Sequence, residues 1–339
     1  MSIVKSIAEK LHVSPSTVSL VLNNKPGISP ATRQRVFDAL KEMGVENYTP
    51  RASVNQLMNI QFILYRKHGK VLTDTPFFSE VMEGIELQAR KYGYSLSVMY
   101  INPQQNIEAQ LSGLTSPNCQ GIILLATELF RDDLEPFLRL DLPIVVLDSY
   151  TETMRVDTVV INNVQGAFEA TKFLTDNGHK KIGYLQSQTV INNFLERKEG
   201  YKKALKYASV PYSADYVFTL EANMEGAYRD MAAILAAQPK DSLPTAFFCD
   251  NDMICIGAVK ALKEAGYAIP GDISMVGFDD IPSCRMLEPP LTTICVPKKS
   301  LGILAVDRLA HNISDKDPVT IKVEVSTYLV ERQSVKNIV

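Results

Sequence analysis

The sequence predicts an α/β chain in which a small N-terminal helix-turn-helix domain precedes a core of two doubly wound parallel-sheet subdomains. Three observations predict it. Apolar residues recur at helical spacing through the first forty-odd positions. From residue 60 onward, short apolar runs alternate with amphipathic stretches, as in strand–helix repeats. That alternation is run through twice within 339 residues, a length that exceeds one small core and calls for two or three domains.

The head comes first. Ile3, Ile7, Ala8 and Leu11 form one apolar helical face, and His12-Val13 breaks the pattern. Ser14 is a good N-cap, and Pro15 at the first helical position needs no N–H partner. Val18, Val21 and Leu22 then point inward, which leaves Pro15, Ser16, Ser19 and Leu20 on or near the outer face. Asn23-Asn24-Lys25-Pro26-Gly27 carries turn chemistry. Ser29-Pro30 repeats the cap and proline, and Val36, Leu40 and Met43 supply a third helix that closes a small core. Such a pattern suits a helix placed in the major groove of DNA, but any small three-helix bundle needs the same spacing, so both readings stay open at this point.

The body follows. Strands are expected at Ile60–Tyr65, Ser95–Met99, Gly121–Leu125 and Pro143–Asp148, with a helix over Phe78–Tyr92 that carries Val81, Ile85 and Ala89 on one face. A second set has strands at Ile182–Leu185, Val217–Leu220, Ala246–Cys249 and Ser274–Phe278, with helices near 164–177, 194–208, 225–237 and 252–266. Ligands of such sheets bind beyond the carboxyl ends of the strands, where polar residues end apolar runs. Asp148-Ser149, Asp250-Asn251-Asp252 and Asp279-Asp280 occupy three such ends. Asp and Asn also cap helices and make turns, so one such end means little; three alike suit a hydroxyl-rich ligand.

Charge separates the two parts. Residues 1–51 hold seven Lys/Arg and four Asp/Glu, a net +3; the whole chain carries −3, which leaves −6 for the remainder. A basic head on an acidic body confines phosphate attraction to the head. Nothing before the first helix reads as a secretory leader and no run is apolar enough to span a membrane, so a cytoplasmic protein is expected. The five cysteines, Cys119, Cys249, Cys255, Cys284 and Cys295, are scattered, odd in number and without a Cys-x-x-Cys, which suits free thiols in a reducing compartment. His12, His68, His179 and His311 are isolated, so neither a metal nor a cofactor is expected.

The segment from Ile3 to Met43, with Ile7-Ala8, Val13–Ser19, Val21-Leu22-Asn23, Ile28-Ser29 and Thr32–Val36, resembles the DNA-binding domain of the LacI/GalR family of bacterial transcription regulators. The likeness continues through nearly the whole chain. Asn177-Gly178-His179-Lys180-Lys181-Ile182 resembles the family's Gly-His-x-x-Ile turn, and Glu196-Arg197 with Gly200-Tyr201 its effector-arginine motif. Asn251-Asp252 and Gly277–Asp280 resemble two further effector segments, Val160–Asn163 and Pro290–Ile294 the crossovers between subdomains, and Leu329–Ser334 the C-terminal strand. The resemblance implies a periplasmic-binding-protein-like core. It implies a helix-turn-helix domain over 1–47, a hinge over 48–59, and a core over 60–339 whose first subdomain is 60–161 and 292–322 and whose second is 162–291 and 323–339. It also implies DNA contact by Ser14, Pro15, Ser16, Thr17, Leu20, Asn23, Lys25, Arg33 and Leu57, and effector contact by Phe77, Phe78, Ser149, Arg197, Glu221, Asn251 and Asp279. For Arg197 the structural alternative is a surface arginine paired with Glu196 or Glu199.

Some positions depart from the family pattern. Leu20 stands where members often carry arginine or histidine; leucine cannot donate to a guanine edge and offers apolar contact, for example to a thymine methyl. In the hinge, Tyr48, Pro50 and Leu57 keep the pattern while Val54 replaces alanine; Leu57 is the expected minor-groove wedge, or Val54 in an ungapped register. Asn162 replaces a frequent aspartate. The function implied is a homodimeric repressor of pseudo-palindromic double-stranded operator DNA, controlled by a sugar or sugar derivative in the cleft between subdomains, with a corepressor protein left open. The competing readings are a periplasmic-type solute-binding protein and an enzyme. No Gly-rich phosphate loop, serine nucleophile elbow or His-Glu-x-x-His supports the latter.

Overall fold

The computed structural model describes residues 3–22, 28–43, 58–72, 75–115, 118–150, 153–239, 242–315 and 319–339. The chain divides into two compact units, Met1–Met58 and Asn59–Val339.

The first unit holds α1 (Ile3–Leu11), α2 (Pro15–Leu22) and α3 (Pro30–Glu42). Its core is Ile7, Ala8, Val18, Val21, Leu22, Val36, Ala39 and Leu40. Met43, expected in that core, is exposed, because α3 ends at Glu42 and Met43 caps it from outside the last turn. Ser29 accepts the amide of Thr32 at 3.2 Å and starts α3, as a capping serine should.

The second unit begins with β1 (Asn59–Tyr65), α4 (Phe77–Lys91), β2 (Ser95–Ile101), α5 (Ile107–Leu111), β3 (Cys119–Leu125), α6 (Glu135–Leu138), β4 (Ile144–Leu147) and β5 (Asp157–Ile161). It continues with α7 (Asn163–Asp176), β6 (Ile182–Ser187), α8 (Asn192–Tyr207), β7 (Val217–Leu220), α9 (Met224–Ala237), β8 (Ala246–Cys249), α10 (Asp252–Glu264) and β9 (Ser274–Asp279). Last come β10 (Thr292–Cys295), α11 (Lys298–Asp315), β11 (Lys322–Val325) and β12 (Tyr328–Val330).

The strands form two six-stranded sheets, ordered β11-β5-β4-β3-β1-β2 and β12-β10-β9-β8-β6-β7. The first is parallel throughout; the second is parallel except for the antiparallel edge pair β10–β12. In each sheet the order reverses beside the first strand, β1 or β6, the arrangement that opens a crevice at the carboxyl ends. The near-continuous burial of β3, β4, β5, β8 and β9 fits strands covered by helices on both faces.

Two expected boundaries shift. The expected bounds return the chain to the first subdomain at 292 and take it out again at 323. Instead Thr292–Cys295 pairs with β9 and β12 in the second sheet, and Lys322–Val325 pairs with β5 in the first. The crossings therefore follow β5, β10 and β11. The return helix α11 lies against α4 at a backbone-to-backbone approach: a Cβ at Gly84 would meet the Lys299 carbonyl oxygen at 2.2 Å, and one at Gly302 the Val81 carbonyl oxygen at 2.3 Å. Of the Gly-His turn, Gly178 takes φ of +90° to end α7, while His179 is buried between Thr245 Oγ1 at 2.9 Å and the Lys336 carbonyl at 3.2 Å.

Candidate functional site

The helical unit presents α2 with Val18, Val21 and Leu22 buried and Pro15, Ser16 and Leu20 exposed on the opposite face. Ser14 Oγ accepts the Thr17 amide at 3.0 Å and lies 2.6 Å from Ser16 Oγ and 2.8 Å from Thr17 Oγ1. The cap thus gathers the hydroxyls at the start of α2. Arg33 is half-exposed one turn into α3. Asn23, Lys25 and Leu57, with most of the hinge and Val54, lie outside the described residues.

The second unit carries a narrow cleft of about 30 Å³ at the carboxyl ends of both sheets. Phe77 and Phe78 open α4 and meet edge-on at 5.0 Å between ring centres, forming an aromatic wall from the first subdomain. Thr127 after β3 and Asp148 after β4 add polar groups from the same side. The second subdomain supplies Asn193, Phe194 and Arg197 from α8, with Asn251 before α10 and Asp279 at the end of β9.

Arg197 organises the polar side. It is almost fully buried, and its guanidinium lies 3.7 Å from the centre of the Phe278 ring. Nε donates to Asn163 Oδ1 at 2.9 Å, one terminal nitrogen to the Asp250 carbonyl at 2.5 Å, and the other to Asp279 Oδ1 at 3.3 Å. Its ion-pair partner is Asp279, so neither Glu196 nor Glu199 holds it as a surface arginine. Glu196 instead accepts from Asn163 at 2.8 Å.

Asp148 stands opposite. Thr127 Oγ1 donates to one carboxylate oxygen at 2.6 Å and Asn193 Nδ2 to the other at 2.9 Å, so this group joins the subdomains. Burial pushes its pKa up to about 6 against these hydrogen bonds and the charge of Arg197. Burial likewise lifts Asp250 and Asp252 to about 7. Asp279 is raised by burial, with Arg197 and then Lys298 opposing. Asp148, Asp279 and Asp280 have φ of 66°, 116° and 53°, left-handed backbone that non-glycine residues seldom adopt. At the last turn, Lys298 donates to the Asp280 carbonyl at 3.2 Å and Arg332 to its carboxylate at 2.6 Å, so the unusual backbone is held from two sides.

Of the residues expected in the site, Phe77, Phe78, Arg197, Asn251 and Asp279 line the cleft. Asn251 spends its carboxamide oxygen capping α10 on the Ile254 amide at 2.9 Å. Ser149 and Glu221 are not among the lining residues. Ser149 is fully buried and accepts from Asn192 at 3.0 Å. Glu221 pairs with Arg229 at 2.8 Å and Lys70 at 3.7 Å, because the turn after β7 directs it to these cations. Thr127 and Asn193 also line the cleft and are not among the residues the sequence points to; Asp148, like Asp279, ends an apolar strand. Asn193 precedes Arg197 by one helical turn and so shares its face.

Two family models match: "Bacterial regulatory proteins, lacI family" over residues 4–51 and "Periplasmic binding protein-like domain" over 171–335. The HTH-type transcriptional repressor PurR of Mannheimia succiniciproducens is 34% identical over 343 residues, covering 100% of both chains. The ribose operon repressor of Haemophilus influenzae is 34% identical over 319 residues, covering 93% of each. Among solved structures, a LacI family transcriptional regulator from Enterococcus faecium with bound ribose aligns with a TM-score of 0.71 and 27% identity, over 83% of this chain and 100% of that one. The matched N-terminal domain sets aside the solute-binding reading. With a full-length relative at this identity and both domain models in order along the sequence, the chain belongs to the LacI family of bacterial transcription regulators.

Proposed function

We propose that this regulator is a homodimeric repressor whose effector is a small unphosphorylated sugar, with ribose the leading candidate, bound in the cleft between the subdomains. The observation that carries this reading is the pairing of an aromatic wall, Phe77 and Phe78, with Asp148, Asn193, Arg197 and Asp279 around one narrow space between the subdomains. At about 30 Å³ the space is far below the roughly 300–1,000 Å³ usual for ligand sites, so a sugar enters only when the subdomains part. Aromatic faces suit the C–H faces of a sugar ring, and two carboxylates with one guanidinium suit its hydroxyls. Two acids against one base disfavour a phosphate or carboxylate ligand. The ribose-named relative and the ribose-bound structure support the same choice. The cleft binds rather than turns over its ligand.

The head reads DNA through α2, with Ser16 and Leu20 toward base edges and Arg33 toward phosphate. One such helix covers a few base pairs, so specificity asks for two heads on a pseudo-palindrome. Effector closure of the cleft changes the relation of the subdomains and so shifts the population of DNA-competent dimers. Among the described residues no helix is long and apolar enough to cross a membrane.

A thermal-shift screen tests the effector class with D-ribose, other free sugars, their phosphates and nucleobases. D-ribose or another free sugar should raise Tm, and sugar phosphates should not. Stabilisation by phosphates alone would overturn the reading. Selection on randomised DNA, with and without the stabilising sugar, should return paired half-sites.

A further inference from the structure

Glu128 follows β3 and is completely buried, yet it is not among the residues lining the cleft. Its carboxylate is surrounded by the segment that follows β1. Oε2 accepts the amides of His68 at 3.0 Å and Gly69 at 2.9 Å, and Oε1 accepts that of Val71 at 3.2 Å. His68 Nδ1 lies 3.2 Å from Oε1. Gly69, at φ of +73°, makes the left-handed turn that lets successive amides converge on one anion. A carboxylate withdrawn from water is tolerated when so satisfied, and it fixes the donors that satisfy it.

Those donors carry two neighbours of consequence. Val71 lines the cleft. Lys70 places its ammonium 3.7 Å from Glu221 Oε1, on the turn after β7 in the other subdomain. A second mooring lies at Lys67, which donates to Asp133 at 2.8 Å and sits 5.3 Å from the Phe130 ring centre. The segment is thus tied twice to the first subdomain and reaches the second.

We propose that Glu128 is a positioning residue for effector binding: it gathers the amides of segment 66–72, holding Val71 in the cleft wall and Lys70 against Glu221, so that the segment straps the cleft and must detach before the effector leaves. The proposal rests on the cleft being the effector site.

Its test uses the full chain and begins without ligand. In Glu128→Gln the carboxamide offers N–H groups where acceptors are needed. Hydrogen exchange at the amides of His68, Gly69 and Val71 should quicken about tenfold or more, while the amides of β4 stay protected. Unchanged exchange at those three overturns the mooring. Spin labels at Glu86→Cys and Lys203→Cys, exposed sites on the two subdomains, then report closure. Lys70→Glu and Glu221→Lys should each shift the distances toward an opened cleft, and the double exchange should restore them; unshifted single variants, or a double variant as open as either single, overturn the strap. With D-ribose as probe, Glu128→Gln and Lys70→Glu should speed dissociation, the latter about two- to fivefold, with recovery in the double exchange. Unchanged dissociation overturns the role in effector retention. If the wild-type chain does not bind D-ribose, that choice of sugar fails, while exchange and label distances still decide the strap.

Discussion

The two subdomains share a strand order and differ in what they bring to the cleft. The first gives a mostly apolar wall, Phe77 and Phe78, with one carboxylate, Asp148, fixed by Thr127. The second gives a preorganised polar network centred on Arg197, with Asn163, the Asp250 carbonyl and Asp279 as acceptors. In the proposed function the same architecture serves two tasks. One side would recognise shape and exclude water; the other would recognise hydrogen-bonding direction, and its groups are costly to leave unpaired in a dry cleft.

Four changes break or sharpen that contrast. Arg197→Ala has the largest expected effect. It leaves Asp279 buried without its cation and should cost about 3–5 kcal/mol of stability. It should also weaken effector binding roughly tenfold or more. Urea denaturation and calorimetry check both, and wild-type stability would show that the polar side is not organised around this arginine.

Asp148→Asn comes next and is read against pH. Burial raises Asp148 from 3.8 to about 6, so the folded chain keeps a proton that the unfolded chain releases. The stability this contributes is full below about pH 3.8 and is lost as pH rises through about 6. The asparagine variant stays neutral and should be less sensitive to that rise, with a divergence of up to about 3 kcal/mol by pH 8. Denaturation of both proteins from pH 4.5 to 8 measures the difference, and parallel curves would refute it.

Phe78→Ala probes the apolar wall. Phe78 is half-buried, so its loss should fall on the ligand more than on the fold, at about 0.5–1.5 kcal/mol of effector affinity. Calorimetry beside a melting curve separates the two. Ser149→Ala should do least. Ser149 supports Asn192 without lining the cleft, so the expectation is about 1 kcal/mol of stability and effector affinity within roughly twofold. A larger drop in affinity would place Ser149 in direct contact with the ligand.

Much of the fold is legible in the sequence. The caps Ser14 and Ser29, the apolar faces of α1 and α2, and the apolar runs of β3, β4 and β8 announce themselves locally. The short strands β5 and β11 are not among the strands expected from the sequence. Each is brief, and β11 carries Lys322 and Glu324, so what makes it a strand is its pairing with β5. The sheet that β10 joins is hidden from the sequence for the same reason: membership is decided by pairing with β9 and β12, not by the strand's own residues. At the cleft, Arg197 and Asp279 were found by motif. Thr127 and Asn193 went unnoticed because a threonine after a strand and an asparagine near a helix start are common in purely structural roles.

The sequence by itself determined the local and periodic features: a capped three-helix head, a basic head against an acidic body, two rounds of strand and helix, and polar residues at the strand ends. Each rests on interactions within a few residues or on composition. The tertiary structure decided which polar groups share a space. It set Asp148 against Asn193, placed Arg197 on Phe278 rather than at the surface, sent Glu221 to Lys70, and buried Glu128 beneath the amides of segment 66–72. Those pairings join residues tens of positions apart, and burial and charge act on them only once the two sheets have brought them together.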